Sequence, residues 1–363
     1  MMNLFYFVQL LGEDYESDSE LNFLVNNREI WFIPVINPDG YVYNESIEPN
    51  GGGMHRKNRK DTGCGNGTSR GIDLNRNYGF GWGSDDFGSS PDPCSAVYRG
   101  ESAFSELETQ VVRDFILNRN FKIVLHYHAY WNTYIHPFGD GSLPEEPALT
   151  TFQEIGNEMA LFNGFSVGTG LATIGYTVNG DAVDWTYGDQ DIIAYVPEVG
   201  SQAQGFWPSE NEVESLCENQ FKPNKVFAFS AGSDFILDGY SFSNELVSGS
   251  TNNIMLNIKN RGLMPSSGSV NISVSSLSQL ITIEDQTKEI SALNSWEMSG
   301  VEFELVISDQ VTYFSEASIK VIIHDSESYH FIDTVNFFIG NEVSIFEENF
   351  DSGLGEWSVS GDW

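Results

Sequence analysis

Three of the six histidines of the chain fall within the fifteen residues Leu125–Gly139, and this cluster limits what the chain can fold into. It follows Phe121–Leu125, an apolar run of strand length that is rich in β-branched residues. Side chains two positions apart on a strand share a face, so His126 and His128 are predicted to point the same way. A histidine at a strand end suits a metal or catalysis, although most histidines only satisfy hydrogen bonds in partly buried settings.

The composition excludes several classes of partner. A length of 363 residues predicts two domains or slightly more, each with its own core. The 17 basic and 52 acidic residues give a net charge of −35, which argues against nucleic acid and anionic membranes, because both need a basic protein face. With 13% aromatic and only 19% charged residues, the chain is expected to fold. No apolar run approaches the ~20 residues of a membrane span.

The first eleven residues, Met1–Leu11, resemble the apolar core of a signal peptide but have no basic flank and no small-residue cleavage site. Their apolar residues fit one face of a helix, which predicts a buried amphipathic helix. A domain that starts on such a helix is expected to have lost its beginning, and a signal peptide with it.

Residues 1–235 alternate between helix-like and strand-like patterns, which predicts an α/β fold: a mixed sheet with helices on both faces. Ser105 is expected to cap a helix with Glu108 completing a capping box, and Asn-Pro-Asp-Gly at 37–40 is a strong turn signal. Pro223 is a candidate break in the last helix. The predicted strands are Glu29–Ile36, Phe121–Gly139 and Asp191–Val196. The predicted helices after the first are Ser105 to about Asn118, Ala148–Asn163 and Ser209–Ser230.

From about Gly239 the pattern changes to short strand-like segments separated by turn residues, which predicts an immunoglobulin-like β-sandwich. His324 and His330 lie at strand ends there, and we expect both to be structural. The predicted domains are therefore a catalytic domain at 1–236 and a β-sandwich accessory domain at 237–341. Residues 342–363 are expected to begin a further, truncated module.

Two stretches offer groups that could bind an anionic substrate. Arg56 lies in Met54–Lys60, the densest basic cluster of the chain, where it could form a charge-assisted hydrogen bond or belong to a solvated surface. Asn75 and Arg76 place an amide beside a guanidinium, a pair suited to a planar carboxylate, although an ordinary loop is the alternative.

Two other stretches offer groups for catalysis and closure. Tyr176 lies in a glycine-containing loop and could swing over a bound substrate. Glu198 directly follows a buried strand, where partial burial would raise its pKa and suit it to act as a general base. An ordinary salt-bridged glutamate is the alternative.

The chain has three cysteines. Cys64 and Cys94 lie in loops that flank Gly71–Gly83, and a bridge between them would pin long loops and imply an oxidising compartment. Their pairing cannot be deduced from sequence. Cys217 lies in a helical segment and is expected to be a packed free thiol.

Taken in order, these motifs resemble the zinc metallocarboxypeptidases of the carboxypeptidase A type, peptidase family M14. The resemblance covers residues 1–235 and rests on the order of its motifs, since any single one is weak. The motifs are Asn37–Gly40, Arg56, Asp73–Asn77, Cys94–Gly100, Ser105–Glu108, His128–Tyr130 ahead of Pro137–Gly139, Tyr176, Asp184–Trp185 and Glu198.

The resemblance implies a Zn²⁺ cofactor and a role for each candidate residue. Val183 falls where the family sets side-chain preference, so an apolar residue there implies apolar or aromatic C-terminal residues in the substrate. The other implied roles are zinc ligand for His128, general base on zinc-bound water for Glu198, carbonyl polarisation for Arg56, binding of the terminal carboxylate for Asn75 and Arg76, and closure of the pocket for Tyr176.

The sequence departs from the family in its zinc ligands. The two zinc ligands besides His128 come, in that family, from a His-x-x-Glu motif, which we expect upstream of residue 1. The match at His324–Glu327 lies in the β-sandwich and is expected to be chance, and His126 is a weak substitute. The implied function is a secreted exopeptidase that acts on peptides with a free C terminus, with no nucleic acid partner and an open oligomeric state. The alternatives are a non-catalytic peptide C-terminus binding protein and a peptidase of cell-wall peptides.

Overall fold

The computed structural model describes residues 1–311 and 314–340. The chain divides into two compact units, Met1–Gly232 and Ser233–Trp363. The expected third module at 342–363 lies outside the described residues. No helix of the described residues is long and apolar enough to cross a membrane.

Unit 1 contains a four-stranded sheet whose strand order is β1-β4-β2-β3. Its central strand β4 runs parallel to β1 and antiparallel to β2, while β2 and β3 are parallel, so the sheet is mixed as predicted. Every residue of β4 is buried. The strands are β1 (Ile123–Leu125), β2 (Thr133–Ile135), β3 (Ser166–Gly168) and β4 (Ile193–Glu198).

The α-helices of unit 1 begin and end according to local chemistry. The Asp18 side chain accepts hydrogen bonds from the amides of Glu20 and Leu21 and so caps the second helix. Ser209 and Glu212 form a capping box on the last helix. The helices are α1 (Met2–Glu13), α2 (Ser19–Asn27), α3 (Pro38–Ile47), α4 (Leu107–Leu117), α5 (Ala148–Ala160), α6 (Gly170–Thr173), α7 (Ala182–Gly188) and α8 (Glu210–Ser230).

Of two predictions for the start of the chain, one is wrong and the other is right only in part. Glu29–Ile36 is not a strand: it pairs with no strand of the described residues, and Trp31 and Ile33 are exposed. Its apolar run suits a strand, but a strand also requires a neighbouring strand to bind. Helix α1 forms as predicted but is not buried throughout, because Phe7 is its one buried residue and Phe5 is half exposed.

Two predictions about helix ends are also wrong. Helix α4 begins after Glu106 with no side-chain cap, because the Ser105 hydroxyl instead donates to Glu106 Oε1 and accepts from Asn77 Nδ2. Helix α8 runs through Pro223 without a break. Proline removes the amide that would bond to the carbonyl four residues earlier, and that carbonyl, on Asn219, accepts from Asn163 Nδ2 instead.

The described residues of unit 2 form β-strands in two four-stranded sheets, ordered β5-β6-β10-β8 and β12-β11-β7-β9. Alternate residues of β6 and β11 are buried, so one face of each sheet enters a shared apolar core that includes Leu256, Phe303 and Ile319. The strands are β5 (Phe235–Phe242), β6 (Thr251–Asn260), β7 (Val270–Ser276), β8 (Ile281–Ile283), β9 (Thr287–Ile290), β10 (Met298–Ile307), β11 (Ser315–His324) and β12 (Phe331–Ile339).

Candidate active site

His128 and Glu198 lie side by side where two parallel strands end. The chain beyond β1 stays paired with β4: the amide of His128 donates to Pro197 O at 2.9 Å, and the amide of Val199 donates to His128 O at 3.1 Å. This pairing brings His128 Nδ1 to 3.8 Å from Glu198 Oε1. Parallel strands present their carboxyl ends at one sheet edge, so the two side chains meet there.

Burial dominates the electrostatics of this pair. It raises the pKa of Glu198 to about 8, and the positive charge of Arg56 opposes that rise. The surrounding protein partly desolvates His128, whose side chain is 34% exposed, and this desolvation together with the charge of Arg56 lowers its pKa to about 4. Glu198 Oε2 is buried and has no hydrogen-bond partner among the described residues. At neutral pH the site therefore holds a neutral imidazole beside a carboxyl group whose pKa lies near the ambient pH.

Arg56 and Arg76 line one cleft with a volume of about 520 Å³, and Tyr176 lies on its wall. The Arg56 side chain is 46% exposed, and its Nη2 lies 2.8 Å from Asp73 Oδ2. The buried Asp73 thus orients a guanidinium that still faces solvent. The cleft combines fixed cations with apolar wall residues such as Leu171.

The structure brings Asn75 and Arg76 together on a short 3₁₀ turn, Leu74–Arg76. Arg76 is buried, and its Nε donates to Gly88 O while its Nη1 donates to Asn75 O, each at 2.7 Å. Asn75 Oδ1 accepts from the amide of Ala182 at 3.0 Å, at the start of α7. Because that oxygen is engaged, the amide donors of Asn75 are the atoms left for a ligand.

Tyr176 and Val183 occupy different environments. Tyr176 is half exposed and follows Gly175, whose positive φ of 83° makes a turn that glycine favours. Burial and the charge of Glu198 both raise the pKa of Tyr176. Val183 is fully buried in an apolar cluster with Ile135, and its role in side-chain preference stays a prediction.

The remaining histidines of the cluster are held by other groups. His126 Nε2 lies 3.0 Å from Thr186 Oγ1, and burial lowers the pKa of His126 to about 3. His136 Nδ1 lies 2.7 Å from Pro137 O, and its ring stacks on Phe152.

The structure contains a disulfide between Cys64 and Cys94 and leaves Cys217 as a buried free thiol. The disulfide closes the loop region that carries Asn75 and Arg76.

Two buried carboxyl groups, Asp181 and Asp184, received no role from the sequence, although Asp184 belongs to the Asp184–Trp185 motif. Asp184 accepts from the amide of Gly139 with both carboxylate oxygens, and burial together with neighbouring Asp181 raises its pKa well above the usual range. Burial likewise raises the pKa of Asp181 to about 6, against the opposing charge of Arg76. Besides that motif, the sequence signal was the spacing of the two aspartates about one helical turn apart.

A family model described as Peptidase_M14, zinc carboxypeptidase, matches residues 2–223. The chain belongs to the M14 zinc carboxypeptidases. Among its curated relatives, carboxypeptidase B of Astacus astacus is 32% identical over 241 residues, which are 64% of this chain and 75% of that protein. Carboxypeptidase B of Bos taurus is 32% identical over 222 residues, 59% of this chain and 51% of that protein.

Solved structures agree with this membership. The carboxypeptidase A of Helicoverpa armigera matches with a TM-score of 0.53 and 28% identity, over 62% of this chain and 56% of that chain. Thrombin-activatable fibrinolysis inhibitor, at 24% identity and a TM-score of 0.55, shows the fold alone. This M14 chain spans about half the length of several of these proteins, for example 52% of the carboxypeptidase B of Helicoverpa zea.

The M14 family name implies zinc, and the described residues do not by themselves fit that metal. A catalytic zinc site takes three protein ligands and a water. Within residues 1–311 and 314–340, no three His, Cys, Asp or Glu side chains converge to hold a metal. The carboxylate of Glu198 lies 3.8 Å from His128 Nδ1, and His126 Nε2 lies 3.0 Å from Thr186 Oγ1. That two further ligands lie upstream of residue 1 stays a prediction.

Proposed function

We propose that this M14 chain is the substrate-binding and base-bearing part of a secreted carboxypeptidase that hydrolyses the last peptide bond of peptides with a free C terminus. The observation that carries the proposal is that Arg56 and Arg76 line the same cleft. Glu198 is near this cleft, since the positive charge of Arg56 opposes the rise of the pKa of Glu198. A fixed cation for the terminal carboxylate and a nearby base are the two parts that such a reaction needs.

Substrate binding follows from the free donors of the cleft. The planar guanidinium of Arg76 is held at Nε and Nη1 by main-chain carbonyls, so its remaining N–H groups are pre-oriented for a carboxylate. The amide group of Asn75 adds a neutral donor beside it. Arg56 would donate to the carbonyl oxygen of the scissile bond and stabilise the negative charge that develops there. Tyr176 would close the cleft over the bound residue.

Glu198 would act as the general base. Its buried Oε2 has no partner among the described residues and can accept a proton from the water that attacks the carbonyl carbon. The same carboxyl group can return that proton to the leaving amine. A pKa of about 8 suits such shuttling near neutral pH.

The proposal extends to substrate preference and compartment. The apolar surroundings of Val183 support a preference for apolar or aromatic C-terminal residues. The Cys64–Cys94 disulfide supports an oxidising, extracellular setting.

The test is release of the C-terminal amino acid from a short peptide that ends in phenylalanine. The chain, with any coding sequence that precedes residue 1 in its gene, is assayed with zinc by mass spectrometry. Release that Glu198→Gln lowers by about 10²–10⁴-fold supports the proposal. Absence of release, or release that this variant leaves unchanged, contradicts it. Faster release of arginine than of phenylalanine contradicts the apolar preference.

A second candidate function is peptide C-terminus binding without metal. It is favoured by the described residues, which retain the carboxylate-binding pair Asn75 and Arg76 but hold no set of three metal ligands. Tight binding of a free-acid peptide that zinc and chelator leave unchanged, with no hydrolysis in the assay above, would favour this function.

A further inference from the structure

The segment His55–Asn58 is not a strand of the sheet, yet side chains from other segments hold its backbone. Asn44 Oδ1 accepts from the amide of His55 at 2.8 Å, and Asn44 Nδ2 donates to His55 O at 2.7 Å. Asn44 lies on α3, so one helix side chain forms both backbone hydrogen bonds that a neighbouring strand would otherwise make.

Asn37 holds the next two residues of the same segment. Its Nδ2 donates to Lys57 O at 2.9 Å and, more weakly, to Arg56 O at 3.3 Å. Its Oδ1 accepts from the amide of Gly40 at 3.0 Å and so caps α3. The two ends of one amide therefore join the start of a helix to the backbone that carries Arg56.

Gly40 allows this contact. A Cβ atom at that position would lie 2.3 Å from Asn37 Nδ2 and 2.7 Å from Lys57 O, closer than real Cβ atoms come to other atoms. Glycine lets the start of α3 approach the segment closely enough for Asn37 to reach it. The Asn-Pro-Asp-Gly sequence, which predicts a turn, thus builds a docking point for the Arg56 backbone.

The two residues that follow Arg56 are not part of the cleft lining, and their side chains anchor the segment. Lys57 is fully buried, and its Nζ donates to the carbonyls of Ser69, Pro93 and Ser95. Asn58 Oδ1 accepts from the amide of Ile72 at 2.9 Å. Arg56 lines the cleft, so the position of its side chain depends on the backbone that the contacts of Lys57 and Asn58 hold in place.

We propose that Asn37 is a positioning residue for Arg56, acting through the main-chain carbonyls of Arg56 and Lys57. The inference rests on the proposed function, in which Arg56 donates to the scissile carbonyl. A donor of this kind is effective only when it is fixed before the substrate arrives, since a displacement of about 1 Å can cost about 10²-fold in rate.

The test separates the two ends of the Asn37 amide. Asn37→Asp and Asn37→Ser both keep an oxygen that can cap α3 but lose the donor to the segment, and serine adds no charge. NMR of the arginine Nε–Hε groups then reports on Arg56 without any ligand. We expect the Arg56 signal to shift or broaden in both variants while the Arg76 signal stays in place. An unchanged Arg56 signal, or equal changes at Arg56 and Arg76, would overturn the proposal.

A double-mutant cycle on peptide affinity adds a readout that a general structural role would not move. We expect Arg56→Ala to weaken binding of a short free-acid peptide about tenfold, because it removes a hydrogen bond from a charged group. Asn37→Ser should weaken binding about threefold, because it only displaces Arg56. In the Arg56→Ala background Asn37→Ser should have no further effect, and additive losses would overturn the proposal. Failure of the unaltered chain to bind peptide would count against the proposed function, and the NMR result would still decide the role of Asn37.

Discussion

Glu198 Oε1 lies 3.8 Å from His128 Nδ1, while Glu198 Oε2 is buried without a hydrogen-bond partner among the described residues. A buried polar atom without a partner lowers stability, so a residue kept in that state is a candidate for function.

Replacing this carboxyl group should therefore not cost stability. Glu198→Gln has nearly the same shape and loses no hydrogen bond from Oε2, so we expect its free energy of unfolding to equal or exceed that of the unaltered chain. Urea unfolding measures this. A loss of more than about 1 kcal/mol would show that Glu198 is a structural residue.

Lys57 should be a large contributor to stability. Its Nζ lies 2.6 Å from Ser69 O and 2.8 Å from Ser95 O in a fully buried setting. Lys57→Met leaves these buried carbonyls without a donor, and we expect a loss of roughly 3 kcal/mol in urea unfolding. Lys222→Met is the matched control, because Lys222 is exposed and its ammonium group lies over the ring of Phe162. The loss for this variant should stay below about 1 kcal/mol. Equal losses would contradict the prediction.

The Cys64–Cys94 disulfide closes a loop with a sequence separation of 30 residues. Loop-closure entropy predicts that the double variant Cys64→Ser, Cys94→Ser loses about 3–4 kcal/mol of unfolding free energy. Thermal unfolding of this variant, and of the unaltered chain with a reducing agent, measures the loss. If both melt at the temperature of the oxidised chain, the disulfide contributes nothing.

The buried Asp181–Asp184 pair predicts a pH dependence of stability. The pKa of Asp181 is raised from the usual 3.8 to about 6, so between these values the folded chain holds a proton that the unfolded chain releases. Stability contributed by this group therefore falls as pH rises from about 4 to 6 and stays low above that range. Asp181→Asn removes the titrating group, so unfolding measured from pH 4 to 8 should show a smaller decline. Asp114→Asn, at an exposed ion pair, should leave the decline unchanged.

Much of the site could be predicted from the sequence because its residues follow strands or short turns. His128 and Glu198 each come directly after an apolar run, and parallel strands bring such positions together. Asn75 and Arg76 are adjacent in the chain, so their proximity required no tertiary information. These predictions therefore rested on apolar runs and on adjacency in the chain, both of which can be read from the sequence.

The failures share a physical cause, which is that long-range partners decide the outcome. Ser105 has the sequence of a helix cap, but its hydroxyl accepts from Asn77, which lies 28 positions earlier in the chain, and donates to the adjacent Glu106. Pro223 stays in a helix because a side chain from Asn163 satisfies the freed carbonyl. Lys57 belongs to a basic cluster in the sequence, yet loops more than ten residues away bury it. None of these contacts leaves a periodic signal in the sequence.

The central claim is that the cleft binds the free C-terminal carboxylate of a peptide through Arg76. Calorimetry of a short peptide ending in phenylalanine, beside the same peptide with a C-terminal amide, tests this most directly. We predict that the free acid binds at least about tenfold more tightly, as expected for a charge-assisted bidentate contact, and that Arg76→Met removes the difference. Equal affinities of acid and amide for the unaltered chain would contradict the claim.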